Sequence, residues 1–388
     1  MDEQQQKKYV QMTQTPVSRL IPRLALPCII SMLVTAFYNM ADTFFVGMLK
    51  SNAATGAVGV VFSLMAIIQA IGFFFGQGSG NFMSRAIGQK NYEEASDMAS
   101  TGFFSALAAG VLICALGLIF LKPLAYLLGS TDTILPYTKA YLRVILLGAP
   151  WMTSSLVLNN QLRFQGSAAY AMVGITVGAV LNIGLDPLLI FVFDLGIAGA
   201  AWATIISQFV SFCLLLVGCG RGGNIRIDFA HLRMKPYYYL WIFKGGLPSL
   251  ARQGLASVAT ICLNQAARPF GDAAIAAQKV GTQIESISYT TAEGFATAVN
   301  AFIAQNFGAR RLDRICRGYW TAVGMIVAWS CFTTVMLVVF PAPLVRVFIQ
   351  KEEVVRTGVS YLRIMGYSQI LMCLEITSSG AFQGLGRP

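Results

Sequence analysis

Long apolar runs alternate with short polar connections along the chain. About 20 mostly apolar residues in a helix cross a bilayer core. Ten segments reach that length: 24–49, 55–82, 98–121, 135–162, 168–193, 196–218, 238–267, 273–304, 316–340 and 357–384. Several are long enough to imply tilt, or extension beyond the bilayer. The pattern predicts an all-α polytopic membrane protein with ten spans. The first 20 residues are polar, so the first span, not a cleaved leader, is expected to start insertion.

The pattern also repeats. Pro123-Leu124 recurs as Pro343-Leu344, Tyr141-Leu142-Arg143 as Tyr361-Leu362-Arg363, and Gly88 as Gly308. Phe164-Gln165-Gly166 matches Phe382-Gln383-Gly384, and Leu26-Pro27 matches Leu247-Pro248. The offsets are 220, 220, 220, 218 and 221. Five matches in order at nearly one offset indicate an internal duplication. Six spans precede the second copy, so both copies share one orientation. Two lobes related by an axis along the membrane normal, with a cavity between them, are expected. The division is a six-helix lobe at 1–220, a linker at 221–236, and a lobe of four helices at 237–388. Relative to the first copy, the second stops two helices short, so a truncated chain is expected.

Composition narrows the class. Hydrophobic residues make up 56% and charged residues 12%, about half the roughly 25% charge of a soluble domain. The net charge of +11 is not a nucleic-acid footprint, because the basic residues punctuate apolar runs. With the N-terminus inside, more than twice as many of the 28 Lys and Arg fall in inner loops as in outer ones. That bias places both termini in the cytoplasm of a bacterial-type inner membrane. One histidine, His231, and eight cysteines without a CxxC pair argue against a metal site, a disulfide framework or a His-based triad. Gly76-Gln77-Gly78-Ser79-Gly80 has no preceding strand and no following GK[ST], so it is no phosphate loop. No cofactor is expected.

Intramembrane carboxylates carry the chemical information, since each costs ~2.5–3.5 kcal/mol at a helix centre. Five lie in spans: Asp42, Asp186, Glu285, Glu293 and Glu375. Asp42 and Asp186 lie at matched depth, each 18 residues from the inner start of its span. Asn182 is one turn before Asp186 on the same face. Tyr141 and Thr204 reach a comparable level. These groups can meet only if the first lobe encloses a polar pocket. Pro27 and Pro187 each remove a helix hydrogen bond and mark a bend or hinge. In the second lobe, Glu285, Glu293 and Glu375 either pair with Lys279, Arg252 or Arg363, or attract a cationic substrate.

The chain resembles the multidrug and toxic compound extrusion (MATE) transporters. The resemblance rests on Leu26-Pro27, Met40-Ala41-Asp42-Thr43-Phe44-Phe45-Val46-Gly47, Ala86-Ile87-Gly88 and Arg163-Phe164-Gln165-Gly166. It continues in Leu181-Asn182 with Asp186-Pro187, in Gly199-Ala200-Ala201 with Ala203-Thr204, and in Gln305-Asn306 with Gly308-Ala309. It implies two six-helix lobes, from which this chain departs by two helices. It also implies a monomeric antiporter that exports amphipathic, often cationic drug-like molecules in exchange for H⁺ or Na⁺. By the same resemblance, Asp42, Asn182 and Asp186 couple to the cation, with Tyr38, Tyr141 and Thr204 as neighbours. Na⁺ could sit on the oxygens of Asp42, Asn182 and Asp186. The sodium-type branch carries a Glu in span 7, absent from Pro248-Ser249-Leu250-Ala251-Arg252-Gln253-Gly254, which favours H⁺.

Two carboxylates in one low-dielectric pocket do not both ionise readily. Neutralising one from outside is expected to let span 1 bend near Pro27, shrink the cavity and expel the drug. The nearest alternative is a flippase of lipid-linked oligosaccharide. It would need a strongly cationic cavity, whereas the four intramembrane Lys and Arg do not outnumber the five acids. A membrane transferase would need an acidic motif such as DDxxD, which does not occur.

Overall fold

The computed structural model describes residues 3–48 and 52–387. A short helix, α1 (Glu3–Gln14), leads into α2 (Val17–Gly47), α3 (Asn52–Gly88) and α4 (Tyr92–Ile119). After the short α5 (Leu121–Leu127) come α6 (Leu135–Phe164), α7 (Ala168–Pro187) and α8 (Gly196–Cys219). The second copy supplies α9 (Pro236–Ala267), α10 (Asp272–Gly308), α11 (Leu312–Val339), the short α12 (Pro341–Arg346) and α13 (Glu352–Gly384).

Each of the ten expected spans falls in one of the ten long helices. Seven of these helices are long and apolar enough to cross a membrane: α2, α3, α4, α6, α7 with its continuation to Val192, α8 and α11. The other three, α9, α10 and α13, have the length but not the apolar composition. Their polar cargo includes Lys244 and Arg252, Lys279, Glu285 and Glu293, and Arg356, Arg363 and Glu375. The structure begins α2 at Val17, seven residues before the expected start at residue 24. It runs unbroken through Pro22 and Pro27. At Pro187 the outcome differs: α7 ends there and a π-helical turn, Leu188–Val192, takes over. The missing N–H of proline explains the change of winding.

The duplication is written in the backbone. Lys90 and Arg310 adopt φ 63° and 56°, and Gly166 and Gly386 adopt φ 78° and 74°. The turns that close α3 and α10 use matching bonds, Asn91 N to Ala86 O at 2.9 Å and Arg311 N to Asn306 O at 2.8 Å. Each pair is separated by 220 residues. One sequence match is corrected by this geometry. Phe382-Gln383-Gly384 lies two residues out of register, because Gly386, not Gly384, takes the left-handed position of Gly166. The closing bonds agree: Ser167 N to Leu162 O and Arg387 N to Phe382 O, at 2.9 and 3.1 Å.

Between the copies, α2 packs on α10, and α3 on α9 and α10, with close contacts at the N-terminal half of α2 and the C-terminal half of α3. Glycine makes the close crossings possible. A Cβ on Gly88 would strike the Gln305 carbonyl, and one on Gly308 would strike the Arg85 carbonyl. The repeat-related glycines thus meet each other where α3 and α10 cross. A Cβ on Gly245 would stand 3.0 Å from the Gly78 Cα, so α9 presses on the same end of α3. The α1 helix spans this end: Met12 and Thr15 carbonyls accept from Arg314 of α11 at 3.3 and 2.8 Å. The connector at 220–235 is held to α4 by Asp97. His231 Nδ1 lies 2.7 Å and Arg233 Nε 3.1 Å from its carboxylate. The single histidine therefore belongs to an ion-pair cluster.

Candidate functional site

Four helices converge on the first-copy carboxylates. Asp42 and Tyr38 come from α2, Tyr141 from α6, Asn182 and Asp186 from α7, and Thr204 from α8. The small residues of Gly199-Ala200-Ala201 let α8 press on the π-turn, where a Cβ on Gly199 would stand 2.6 Å from the Leu189 carbonyl. That contact brings Thr204 to the level of Asp186. Tyr141, Asn182 and Thr204 are 1% exposed and Asp186 is 0% exposed. Asp42 is half-buried. Tyr38 of α2 and Asn182 of α7 face one cavity, and Asp42 and Asp186 follow them one turn along the same two helices, which makes the set one candidate constellation.

The hydrogen bonding of this constellation is incomplete. Asp42 Oδ1, both carboxylate oxygens of Asp186, Oδ1 and Nδ2 of Asn182, and the Tyr141 hydroxyl are buried without a hydrogen-bond partner. Thr204 spends its hydroxyl proton on the Ala200 carbonyl at 3.0 Å. The Tyr38 hydroxyl accepts from Gln208 Nε2 at 3.4 Å. Buried polar atoms are normally satisfied, and an unpaired carboxylate in low dielectric is costly. A cluster of oxygens with so few donors is suited to a proton or a small cation. Among the described residues no group of three or more His, Cys, Asp or Glu could hold a metal ion. A cation here would rest on two carboxylates with amide and hydroxyl oxygens, an all-oxygen set suited to H⁺ or an alkali ion.

Next to the carboxylates lies a small cavity of about 70 Å³. Tyr38 and Asn182 line it, together with Thr35, Gln69, Asn159 and Gln208. Asp42, Asp186, Tyr141 and Thr204 sit behind this wall. The amides Gln69, Asn159 and Gln208 were not legible as site residues. A single amide in an apolar helix has many structural uses, and only the packing shows which face it takes.

The second-copy acids are arranged differently. Glu293 pairs with Arg252 of α9. Glu285 accepts a weak bond from Gln369 at 3.4 Å. Glu375 is exposed, as are Lys279 and Arg363. Of the expected pairings, the one between Glu293 and Arg252 is formed. These acids do not join the first-copy constellation. Glu293 and Arg252 line a small polar cleft with Gln77, Thr297, Asn300 and Gln383.

The MatE family model matches the chain in two stretches, residues 27–188 and 248–388. They begin at the repeat-related Pro27 and Pro248. Multidrug export protein MepA of Staphylococcus aureus is 26% identical over 378 residues, covering 96% of this chain and 83% of that protein. The protein of that name from Staphylococcus saprophyticus is 27% identical over 368 residues, covering 94% and 80%. Among solved structures, a MATE protein in complex with MaD3S superposes with a TM-score of 0.91 at 26% identity, covering 98% of this chain and 85% of that one. The outward-facing form of a multidrug resistance MATE transporter of the MOP superfamily gives 0.90 at 26% identity, covering 97% and 85%. These relatives are transporters, not enzymes. With two family matches, a repeated helical fold and multidrug export proteins aligned over nearly its whole length, the chain belongs to the MATE family of multidrug efflux transporters.

Proposed function

We propose that the protein is a secondary antiporter, exporting amphipathic, often cationic drug-like molecules in exchange for H⁺ or Na⁺. The observation that carries this reading is the set of buried, unpartnered oxygens on Asp42, Asn182 and Asp186. Asp42, Asn182 and Asp186 receive the coupling cation, and Tyr38, Tyr141 and Thr204 shape the pocket around it. The adjoining cavity, walled by Tyr38, Gln69, Asn159 and Gln208, takes the drug once the helices around it part, since a drug-sized site needs ~300 Å³ or more. Because Asn182 belongs to both, occupation of one space alters the wall of the other. Pro27 is the hinge in α2. Pro187 is the hinge in α7, supported by the π-turn that follows it.

In this reading all ten long helices cross a bacterial inner membrane, six in the first lobe and four in the second, with both termini cytoplasmic. Lobes at 1–220 and 237–388 are joined by the linker at 221–236, and the protein works as a monomer. The polar character of α9, α10 and α13 fits helices that face a cleft. The close contacts between the copies, at the N-terminal half of α2 and the C-terminal half of α3, fit a state closed on the cytoplasmic side. H⁺ is favoured over Na⁺ because α9 lacks a carboxylate in 248–254. Glu285, Glu293 and Glu375 are candidates for attracting a cationic drug, Glu285 foremost, since Glu293 is already paired. The lipid-linked flippase reading is disfavoured by a cavity wall that contains no Lys or Arg. The deciding experiment is drug efflux from everted vesicles under an imposed pH or Na⁺ gradient. Efflux driven by neither gradient would refute the antiport reading.

A further inference from the structure

The motif Arg163-Phe164-Gln165-Gly166 is not part of the carboxylate pocket. It closes α6, and each of its residues grips a different part of the molecule. Arg163, 4% exposed, donates from Nη2 to Ser31 Oγ of α2 at 2.8 Å. The Phe164 carbonyl accepts from Ser84 Oγ of α3 and from Gln305 Nε2 of α10, each at 2.9 Å. Gln165 Oε1 accepts from the Ile225 N–H of the connector at 2.7 Å. Gly166 lies against Met12 of α1, whose carbonyl accepts from Asn306 of α10 at 3.2 Å. One turn thus joins both copies, the connector and the N-terminal helix.

The arginine sits beside the proline segment of α2. Ser31 donates its hydroxyl proton to the Cys28 carbonyl at 2.9 Å, next to Pro27. From the second copy, α10 seats Gly294 on this segment, where a Cβ would stand 2.9 Å from the Ile29 Cα. The preceding residue, Glu293, pairs with Arg252. Arg163 Nε remains buried without a partner. A buried cation with an unsatisfied donor is costly and asks for a task. Turn formation is not that task. The repeat-related turn at Gly386 has the same backbone with Gln383 at the position of Arg163.

We propose that Arg163 is a positioning residue for transport. Through Ser31 it holds α2 beside Pro27, and the next residue of the same turn, Phe164, accepts from Gln305 of α10 and so ties that segment to the second copy. Bending of α2 and separation of the copies are then one movement. The inference rests on the antiport reading for its consequence, but its geometry is tested separately.

Cys28 supplies the readout, being 1% exposed within the joint. Its modification by a membrane-permeant maleimide is followed by peptide mass spectrometry in Arg163→Gln, Arg163→Lys and Ser31→Ala. In parallel, ethidium binding and gradient-driven ethidium efflux are measured in everted vesicles. Loss of one charge-assisted hydrogen bond should raise Cys28 labelling about tenfold in Arg163→Gln. Ser31→Ala should change it in the same direction, and Arg163→Lys should rescue in part. Efflux should fall in Arg163→Gln while ethidium affinity stays within about twofold, well under the tenfold that 1.4 kcal/mol represents. A folded Arg163→Gln that labels at the parent rate overturns the proposal. If that variant does not fold, Ser31→Ala and Ser31→Thr decide together: the alanine removes both the acceptor of Arg163 and the donor to the Cys28 carbonyl and should raise labelling, the threonine keeps the hydroxyl and should label near the parent rate, and equal labelling of the two overturns the proposal. Failure of the antiport reading would show instead as efflux driven by neither gradient in the parent protein, and would leave the labelling result intact.

Discussion

The two copies share a backbone and differ in how they treat their acids. In the first copy, Asp42 and Asp186 are held where no side chain or backbone group satisfies the oxygens of Asp186 or one oxygen of Asp42. In the second, Glu293 has a guanidinium and Glu285 an amide. Neutralised acids stabilise a fixed arrangement. Unneutralised ones respond to whatever proton or ion arrives. Two frameworks of the same shape thus carry different side chains, with unpartnered carboxylate oxygens in one and partnered glutamates in the other.

The largest effect is expected from removing the reactive pair. Asp42→Asn and Asp186→Asn keep shape and take away a titratable charge, so gradient-driven efflux should be abolished in each. Thermal stability should hold or rise, because an unpaired carboxylate opposes burial. Efflux assays and melting in detergent check both halves. If either variant kept full coupled efflux, that carboxylate would be structural and the contrast between the copies would be void at that position.

A second test asks whether the shared framework is symmetric where the copies touch. Gly88→Ala and Gly308→Ala each place a methyl group against a backbone carbonyl of the opposite helix. Overpacking of this kind costs about 1–3 kcal/mol. The two variants should be destabilised alike and should both raise Cys28 labelling, since the α3–α10 crossing and the α2–α10 contact lie at the same end. Unequal melting shifts would show that one copy carries the closed end.

The legible and illegible parts divide along the same lines. Helix positions were readable because bilayer thickness fixes the length of an apolar run. The pocket was readable because counting residues from the inner end gives depth, and that placed Asp42, Asp186, Asn182, Tyr141 and Thr204 together. Three features escaped. Helix α1 is polar and docks through backbone carbonyls of Met12 and Thr15, which no side-chain pattern announces. The register at Gly386 was obscured by a chance recurrence of Phe-Gln-Gly two residues early. Arg163 was visible as a motif residue, but its partner Ser31 lies 132 positions away. Long-range hydrogen bonds leave no periodic trace in a single sequence.

A smaller effect is expected at the paired acid. Glu293→Gln leaves Arg252 without its counter-charge. Breaking a fully buried pair costs about 3–5 kcal/mol, and much less where water reaches both partners. Side-chain exposures of 33% for Arg252 and 28% for Glu293 place this pair between those limits, at roughly 1–2 kcal/mol. The double variant Arg252→Met/Glu293→Met should recover most of the stability. Thermal melting of the single and double variants decides. A Glu293→Gln protein with unchanged melting would show that Glu293 is not held by Arg252 and would move it toward the reactive class of the first copy.

Glu285 should give the smallest change and the finest distinction. Its bond from Gln369 is long, at 3.4 Å, and Glu285→Gln keeps an acceptor oxygen in place. The stability change should stay below about 1 kcal/mol, the net value of an ordinary hydrogen bond. Transport then separates two roles for the same carboxylate. If Glu285 attracts a cationic drug electrostatically, the variant should raise KM for a cationic compound and leave KM for a neutral one unchanged. If Glu285 only accepts from Gln369, both KM values stay where they were. A loss of kcat for both compounds would be a third result. It would mean that Glu285 takes part in cation coupling, and that the second copy is reactive as well.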